Sequence, residues 1–187
     1  MFDVRETSLK GCLRILPRVR ADERGVFVKT FHIEAFQKLG LPTSFAEEYF
    51  SISQKNVLRG LHFQMPPMDH EKMVCCAQGE VMDAVVDLRR SSPTYGAYAL
   101  FHLKSSEGTV LYIPKGMAHG FYTLSDTALM LYRVTSVYDP DCDAGIRWDS
   151  AGIRWDSAGI PWEGGAPILS ERDQKFPALA DFVSPFG

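Results

Sequence analysis

The stretch KMVCCAQGEVMDAVVDL, residues 72–88, decides the fold. Two runs rich in β-branched and apolar residues, Lys72 to Gln78 and Val81 to Leu88, stand on either side of a Gly-Glu break. Runs of this length bounded by turn residues read as strands. The same pattern continues outward on both sides. Upstream it covers Gly25 to His32, Glu48 to Ser53 and Val57 to Gln64; downstream it covers Tyr98 to Leu103, Thr109 to Ile113, His119 to Thr123 and Ala128 to Val137. Helix signals are few. Ile33 to Leu39 fits one short helix that stops at Gly40 with Pro42 just beyond, and a second turn or short helix fits Ser170 to Phe176. About nine strands at even spacing with almost no helix between them predict an antiparallel sandwich or barrel, not a parallel sheet. The expectation is an all-β jelly-roll barrel of eight or more strands with short peripheral helices.

The chain has 187 residues, 45% hydrophobic and 23% charged, which is the size and make-up of a single globular domain spanning 1–187. Twenty Lys and Arg against 23 Asp and Glu leave a net charge of -3, so net charge suggests neither a nucleic-acid partner nor a polybasic membrane anchor. No apolar run approaches the length of a membrane span, and MFDVRETSLKG lacks the apolar stretch of a secretory signal. The expected compartment is the cytoplasm. Cys12, Cys75, Cys76 and Cys142 form no C-x-x-C pair and are too sparse for a disulfide scaffold, so they read as reduced thiols packed as small hydrophobes.

GIRWDSA at 145–151 recurs identically at 152–158 and is followed by the degenerate GIPWEG at 159–164. Two and a part copies are too few for a solenoid, and a Gly-Asp-Ser heptad is no coiled coil. A local tandem duplication in a surface loop fits, since doubling a loop costs only about 0.6 kcal/mol. The expectation is one copy looped out near the surface.

The densest chemistry lies in Arg59-Gly60-Leu61-His62-Phe63-Gln64 and the His70-Glu71-Lys72 that follows. On a strand, Gly60, His62 and Gln64 share one face, so His62 points into a barrel, and Lys72 on the next strand could converge on the same cavity. Ile113 to Phe121 repeats the theme: a strand, a Pro-Lys-Gly turn, and His119 entering another strand. Its P-x-G-x-x-H spacing resembles the second motif of the cupin superfamily, and two histidines in one barrel raise a metal-dependent isomerase or oxygenase as a rival reading. Gln64 stands where metal cupins usually carry a second His, so His62, His119 and His70 or Glu71 fall short of a well-specified shell.

DERGVF, NVLRGLHFQ, GEVMDAVVDLRRSSPTYG, LYIPKGMAHGF, LYRVTSVYDP and LSERD, in this order over roughly residues 2–180, resemble the dTDP-4-dehydrorhamnose 3,5-epimerase family. The resemblance implies a metal-free, cofactor-free cupin jelly roll, usually a homodimer. Its expected reaction inverts carbons flanking the 4-keto group of a nucleotide-linked 6-deoxyhexose, feeding a surface polysaccharide such as an O-antigen. Inverting a carbon beside a ketone needs a base, a stabiliser for the enolate, and an acid on the opposite face. His62 suits the base, its pKa lying near working pH. By resemblance Asp173 holds the imidazole in its tautomer, Lys72 faces the enolate oxygen and Tyr132 is the acid; His119, in the same barrel, reads as an orienting or polarising neighbour. A non-catalytic sugar-nucleotide-binding cupin is the remaining rival, and the presence of the proton-transfer set counts against it.

For the rest of the substrate, the resemblance places Arg24 and Arg59 on the diphosphate, where guanidinium forks suit the geometry, and Phe27 against the base. Gln64 and Tyr138 join the expected binding set. Around the base pocket the chain carries Lys29, Glu47 and Tyr49. An ionised carboxylate only accepts hydrogen bonds, whereas a thymine imide needs a partner that donates as well. Glu47 therefore predicts CDP or GDP in preference to dTDP.

Overall fold

The computed structural model describes residues 1–155 and 166–187. Two antiparallel sheets face each other. The first runs in the order β1 (Phe2–Glu6), β2 (Leu13–Pro17), β10 (Val110–Ile113), β7 (Lys72–Gln78), β12 (Thr127–Val134), β5 (Glu47–Gln54). The second runs β13 (Asp143–Gly145), β6 (Leu58–Gln64), β11 (Met117–Thr123), β8 (Glu80–Asp87), β9 (Tyr98–Lys104). A third, two-stranded sheet, β3 (Val19–Asp22) with β4 (Gly25–Val28), is hydrogen-bonded to neither. This is the expected cupin-type jelly roll, with only the short helices α1 (Ile33–Lys38) and α2 (Glu171–Gln174) and a 3-10 turn at Leu179–Asp181 among the described helical segments.

β8 explains why residues 81–88 read as a continuous apolar run: it is covered on both faces. Val81 and Val85 enter the core between the sheets with Val74, Leu111, Met130 and Phe121. Met82, Ala84 and Val86 point the other way, into a cluster with Ile146, Trp155 and Phe186 from the C-terminal part of the chain. Asp83 shares a face with Val81 and Val85, so its carboxylate faces the barrel interior. The outer face of the first sheet is covered by a third cluster, in which Phe36 of α1 packs with Ile15, Met73 and Val110.

Two expected strands are shorter than their apolar patterns. The run from Gly25 ends at Val28, because His32 becomes the N-cap of α1 and its side chain accepts the Ala35 N–H. The run to Val137 ends at Val134, beyond which Thr135 and Ser136 bond to the β6–β7 loop. Cys12, Cys75 and Cys76 are buried and unbridged, and burial pushes their thiols up to about 12, 11 and 12. No described helix is long and apolar enough to cross a membrane.

The duplicated segment departs from expectation. Ile146 of the first copy and Ile153 and Trp155 of the second are all buried in the same cluster, and Trp155 Nε1 donates to the Trp148 carbonyl at 3.2 Å. The second copy is packed as far as Trp155, not looped out, because it carries the same Ile-x-Trp pair and the outer face of the second sheet accommodates it. Its remainder and GIPWEG lie outside the described residues.

Candidate active site

β6 and β11 are neighbours, and His62 stands directly opposite His119 in their register, so both imidazoles share the barrel-facing side. The strands come unusually close just before this pair. Gly60 has φ of 127°, and a Cβ there would lie 2.6 Å from the Gly120 Cα, so only glycine fits. Its freed N–H donates to Asp173 Oδ2 at 3.0 Å. Between the sheets opens a cavity of about 490 Å³. β6 contributes Arg59, His62 and Gln64 to its wall, β7 contributes Lys72, β11 His119, β12 Tyr132, and β5 Glu47, Tyr49 and Ser51; Tyr138, Asp143 and Arg172 complete the rim.

His62 and His119 each have their own carboxylate. His62 Nε2 lies 2.8 Å from Asp173 Oδ1, and His119 Nε2 lies 2.7 Å from Asp83 Oδ2. Burial holds the His62 pKa below its usual value, with Arg172 and Lys72 adding to the effect and Asp173 opposing it. The ring is therefore neutral near pH 7. Burial acts to raise the Asp173 pKa, but hydrogen bonds from His62 and the Gly60 N–H outweigh it and bring the group to about 2. Lys72 is buried on β7, and desolvation lowers its ammonium to about 8 against the pull of Asp83 and Asp143. The Tyr132 hydroxyl lies 3.1 Å from Ser51 Oγ, its ring stacks on Tyr49 at 4.8 Å, and burial raises the phenol well above its usual pKa. Tyr49 is likewise raised by burial, to about 12. The site thus assembles a neutral base, a cation and a protonated phenol around one space.

Of the residues expected from sequence, His62, Lys72, Tyr132, His119, Glu47, Tyr49, Arg59, Gln64 and Tyr138 line the cavity, and Asp173 sits directly behind His62. Arg24, Phe27 and Lys29 do not reach it within the chain. They lie exposed on or beside the β3–β4 hairpin, where Arg24 Nη2 pairs with its own neighbour Asp22 at 2.5 Å. Gln64 is in place, but its amide is engaged by backbone: Nε2 donates to the Met68 and Val137 carbonyls at 2.9 and 3.1 Å, and Oε1 accepts the Asp139 N–H at 2.7 Å. It ties the two rim loops together. Asp83, Asp143 and Arg172 were not anticipated. Asp83 left a legible trace, a carboxylate in the middle of an apolar strand; Arg172 and Asp143 look like ordinary surface charge. Among the described residues, no group of three or more His, Cys, Asp or Glu is placed to hold a metal ion; His62 and His119 are each bound through Nε2 to their own carboxylate, and His70 Nδ1 meets Gln64 and Ser136.

Comparison with known proteins identifies the family. The family model described as dTDP-4-dehydrorhamnose 3,5-epimerase matches residues 6–181. The chain is 40% identical over 176 residues to the dTDP-4-dehydrorhamnose 3,5-epimerase of Methanothermobacter thermautotrophicus, covering 94% of each. It is 39% identical over 183 residues to the enzyme of that name from Escherichia coli K12, covering 97% of each. A crystal structure of dTDP-6-deoxy-D-glucose-3,5-epimerase from Legionella pneumophila Philadelphia 1, in complex with dTDP-4-keto-L-rhamnose, superposes with a TM-score of 0.87 at 33% identity over 100% of this chain and 99% of that one. These relatives are named for dTDP sugars, and one holds such a sugar, which overturns the expectation of CDP or GDP. The reason lies in Glu47. Its Oε1 accepts the Tyr138 N–H at 2.9 Å, so the acceptor that was read as facing a base faces backbone.

Proposed function

Since this chain belongs to the dTDP-4-dehydrorhamnose 3,5-epimerase family, we propose that one jelly-roll domain spanning 1–187 inverts the carbons beside the keto group of a dTDP-linked 4-keto-6-deoxyhexose. The chain is a nucleotide-sugar epimerase of deoxysugar biosynthesis, and its compartment in this reading is the cytoplasm. The observation that carries the mechanism is the His62–Asp173 pair opening onto a cavity shared with Lys72 and Tyr132.

His62, neutral and backed by an ionised Asp173, removes the proton next to the ketone. With Nε2–H donated to Asp173, the lone pair sits on Nδ1, and Asp173 stabilises the imidazolium that forms. Lys72 places a fixed positive charge at the developing enolate oxygen; in a water-poor site this charge acts far more strongly than in bulk water. His119, oriented by Asp83, polarises the same oxygen. Tyr132, its phenol kept protonated by burial, returns a proton from the opposite face. Arg59, anchored through Nε on Ser53 Oγ at 2.9 Å and through Nη2 on the Ile52 carbonyl at 3.3 Å, turns its remaining donors to the diphosphate, while Tyr49 and Tyr138 border the nucleotide.

Solvent deuterium incorporation into a dTDP-4-keto-6-deoxyhexose tests the reading: label enters at the carbons flanking the ketone, and failure of both exchange and inversion rules it out. Tyr132→Phe then separates the half-reactions, with label washing in faster than inverted product appears. Equal loss of both would leave Tyr132 a structural part only.

A further inference from the structure

Nε2 of His62 has two partners at one distance: Asp173 Oδ1 and Arg172 Nη2 each lie 2.8 Å away. A ring nitrogen has a single in-plane site, which holds either a proton or a lone pair. The Asp173 carboxylate only accepts and the Arg172 guanidinium only donates, so the two contacts exclude each other. With the proton on Nε2, Asp173 receives it and Nδ1 keeps the lone pair. With the lone pair on Nε2, Arg172 occupies it and Nδ1 carries the proton. Arg172 is held at this fork by further contacts: Nη1 donates to Asp143 Oδ2 at 2.5 Å, Nε lies 3.4 Å from Asp173 Oδ1, and the Phe176 ring lies 5.6 Å beneath the guanidinium carbon. Asp143 stands on β13, the strand whose Gly145 is the register partner of His62, so latch and base ride on adjacent strands.

We propose that Arg172, latched by Asp143, is a positioning residue that selects the tautomer of His62 and so decides whether Nδ1 can take the substrate proton. Held on Nε2 by Asp143, it occupies that lone pair and leaves Nδ1 protonated; swung away from the ring, it hands Nε2–H to Asp173 and leaves Nδ1 basic. The inference rests on His62 being the base. The other charged and titratable groups around the ring are Asp173 from α2, Lys72 from β7, the His119–Asp83 pair from β11 and β8, and Arg59 from β6; of the cations, Arg172 is the one in contact with a ring nitrogen.

Ring-nitrogen NMR of the ligand-free full chain, uniformly ¹⁵N-labelled at pH 8, reads the tautomer directly, with His119 as internal reference. The wild type is expected to give averaged His62 signals. In Arg172→Met, Nε2 shifts to the protonated type and Nδ1 to the lone-pair type. In Asp143→Asn, which loosens the latch holding the guanidinium at the ring, the balance moves the same way by a smaller amount. His119 signals stay in place in both. Identical His62 signals in wild type and Arg172→Met overturn the proposal, as does a change in Asp143→Asn in the opposite direction to that in Arg172→Met. Deuterium exchange on the same samples keeps the two readings apart: absent exchange in the wild type removes the epimerase mechanism and leaves the tautomer result standing. Where exchange occurs, its acid limb moves to higher pH in Arg172→Met; an unmoved limb counts against the proposal.

Discussion

The two imidazole–carboxylate pairs, His62–Asp173 and His119–Asp83, face each other across β6 and β11 and differ in almost everything except their chemistry. Asp173 receives the His62 ring and the Gly60 N–H, and its pKa falls to about 2. Asp83, fully buried on β8, has the His119 ring on Oδ2 but no partner on Oδ1 among the described residues, and desolvation raises its pKa despite His119 and Lys72. Exposure differs as well: the His62 side chain is 24% accessible and that of His119 is 4%. The number of donors a carboxylate gathers, more than the identity of its partner, decides whether it stays charged. A firmly ionised Asp173 suits a base that must become imidazolium and recover; a reluctant Asp83 suits a ring that only has to stay put.

Replacing the more accessible imidazole should therefore do most. His62→Ala is expected to lower solvent deuterium exchange by about 10² to 10⁴-fold, the usual worth of a positioned base. Calorimetry should show dTDP binding nearly unchanged, since Arg59 and the rim remain. Exchange at the wild-type rate would move the base elsewhere, with His119 the first alternative.

Lys72 lies between the pairs and lowers the pKa values of both His62 and Asp83. Lys72→Met is expected to cost about 10² to 10³-fold in kcat, the scale of losing one enolate-stabilising donor. The pH profile carries the sign. The wild-type rate rises as pH climbs through the depressed His62 pKa, because the base must be neutral, and falls as Lys72 loses its proton near about 8. Lys72→Met should retain the first limb and lose the second. An alkaline limb that survives the substitution belongs to another group.

The extent to which this contrast could be read beforehand follows from sequence distance. β7 and β8 were visible because both faces of β8 are buried and its residues are apolar except at Asp83 and its two ends. β1 was missed: FDVRE interleaves charges along an edge strand, which leaves little apolar signal, and three-residue β13 leaves none. The pairing of His62 with Asp173 spans 111 positions, and nothing in local pattern connects them; only the resemblance did. Glu47 was read correctly as an acceptor and wrongly as to its donor, since backbone N–H groups carry no sequence signature. The Ile-x-Trp of the second GIRWDSA copy was equally visible and was undervalued, because the low cost of lengthening a loop says nothing about what the added residues then bury.

Substituting the carboxylates one at a time separates the pairs next. Asp173→Asn is expected to reduce exchange by about 10²-fold, since its amide can turn an N–H toward Nε2 and favour the wrong tautomer. Asp83→Asn should cost only about tenfold, because an amide oxygen still accepts from His119 and a general base is not involved. Equal losses would mean that both rings take part in proton transfer.

The smallest expected effect is also the sharpest, because the two variants should differ in sign. Asp173 has a folded-state pKa below its unfolded 3.8, so its stabilising contribution is present above 3.8 and is lost as pH falls toward about 2. From the size of that shift the contribution is about 2 kcal/mol. Asp83 runs the other way. Its folded-state pKa lies above 3.8, so the folded protein holds this proton where the unfolded chain has released it, and the contribution is full below 3.8 and withdrawn as pH rises through the raised value. Urea unfolding followed from pH 6 down to pH 2 reads both. Asp173→Asn should flatten the acid loss of stability by about 2 kcal/mol relative to wild type, and Asp83→Asn should steepen it. If both variants flatten the curve, Asp83 is ionised in the folded protein, its unpartnered oxygen is satisfied by solvent, and the two pairs are electrostatically alike.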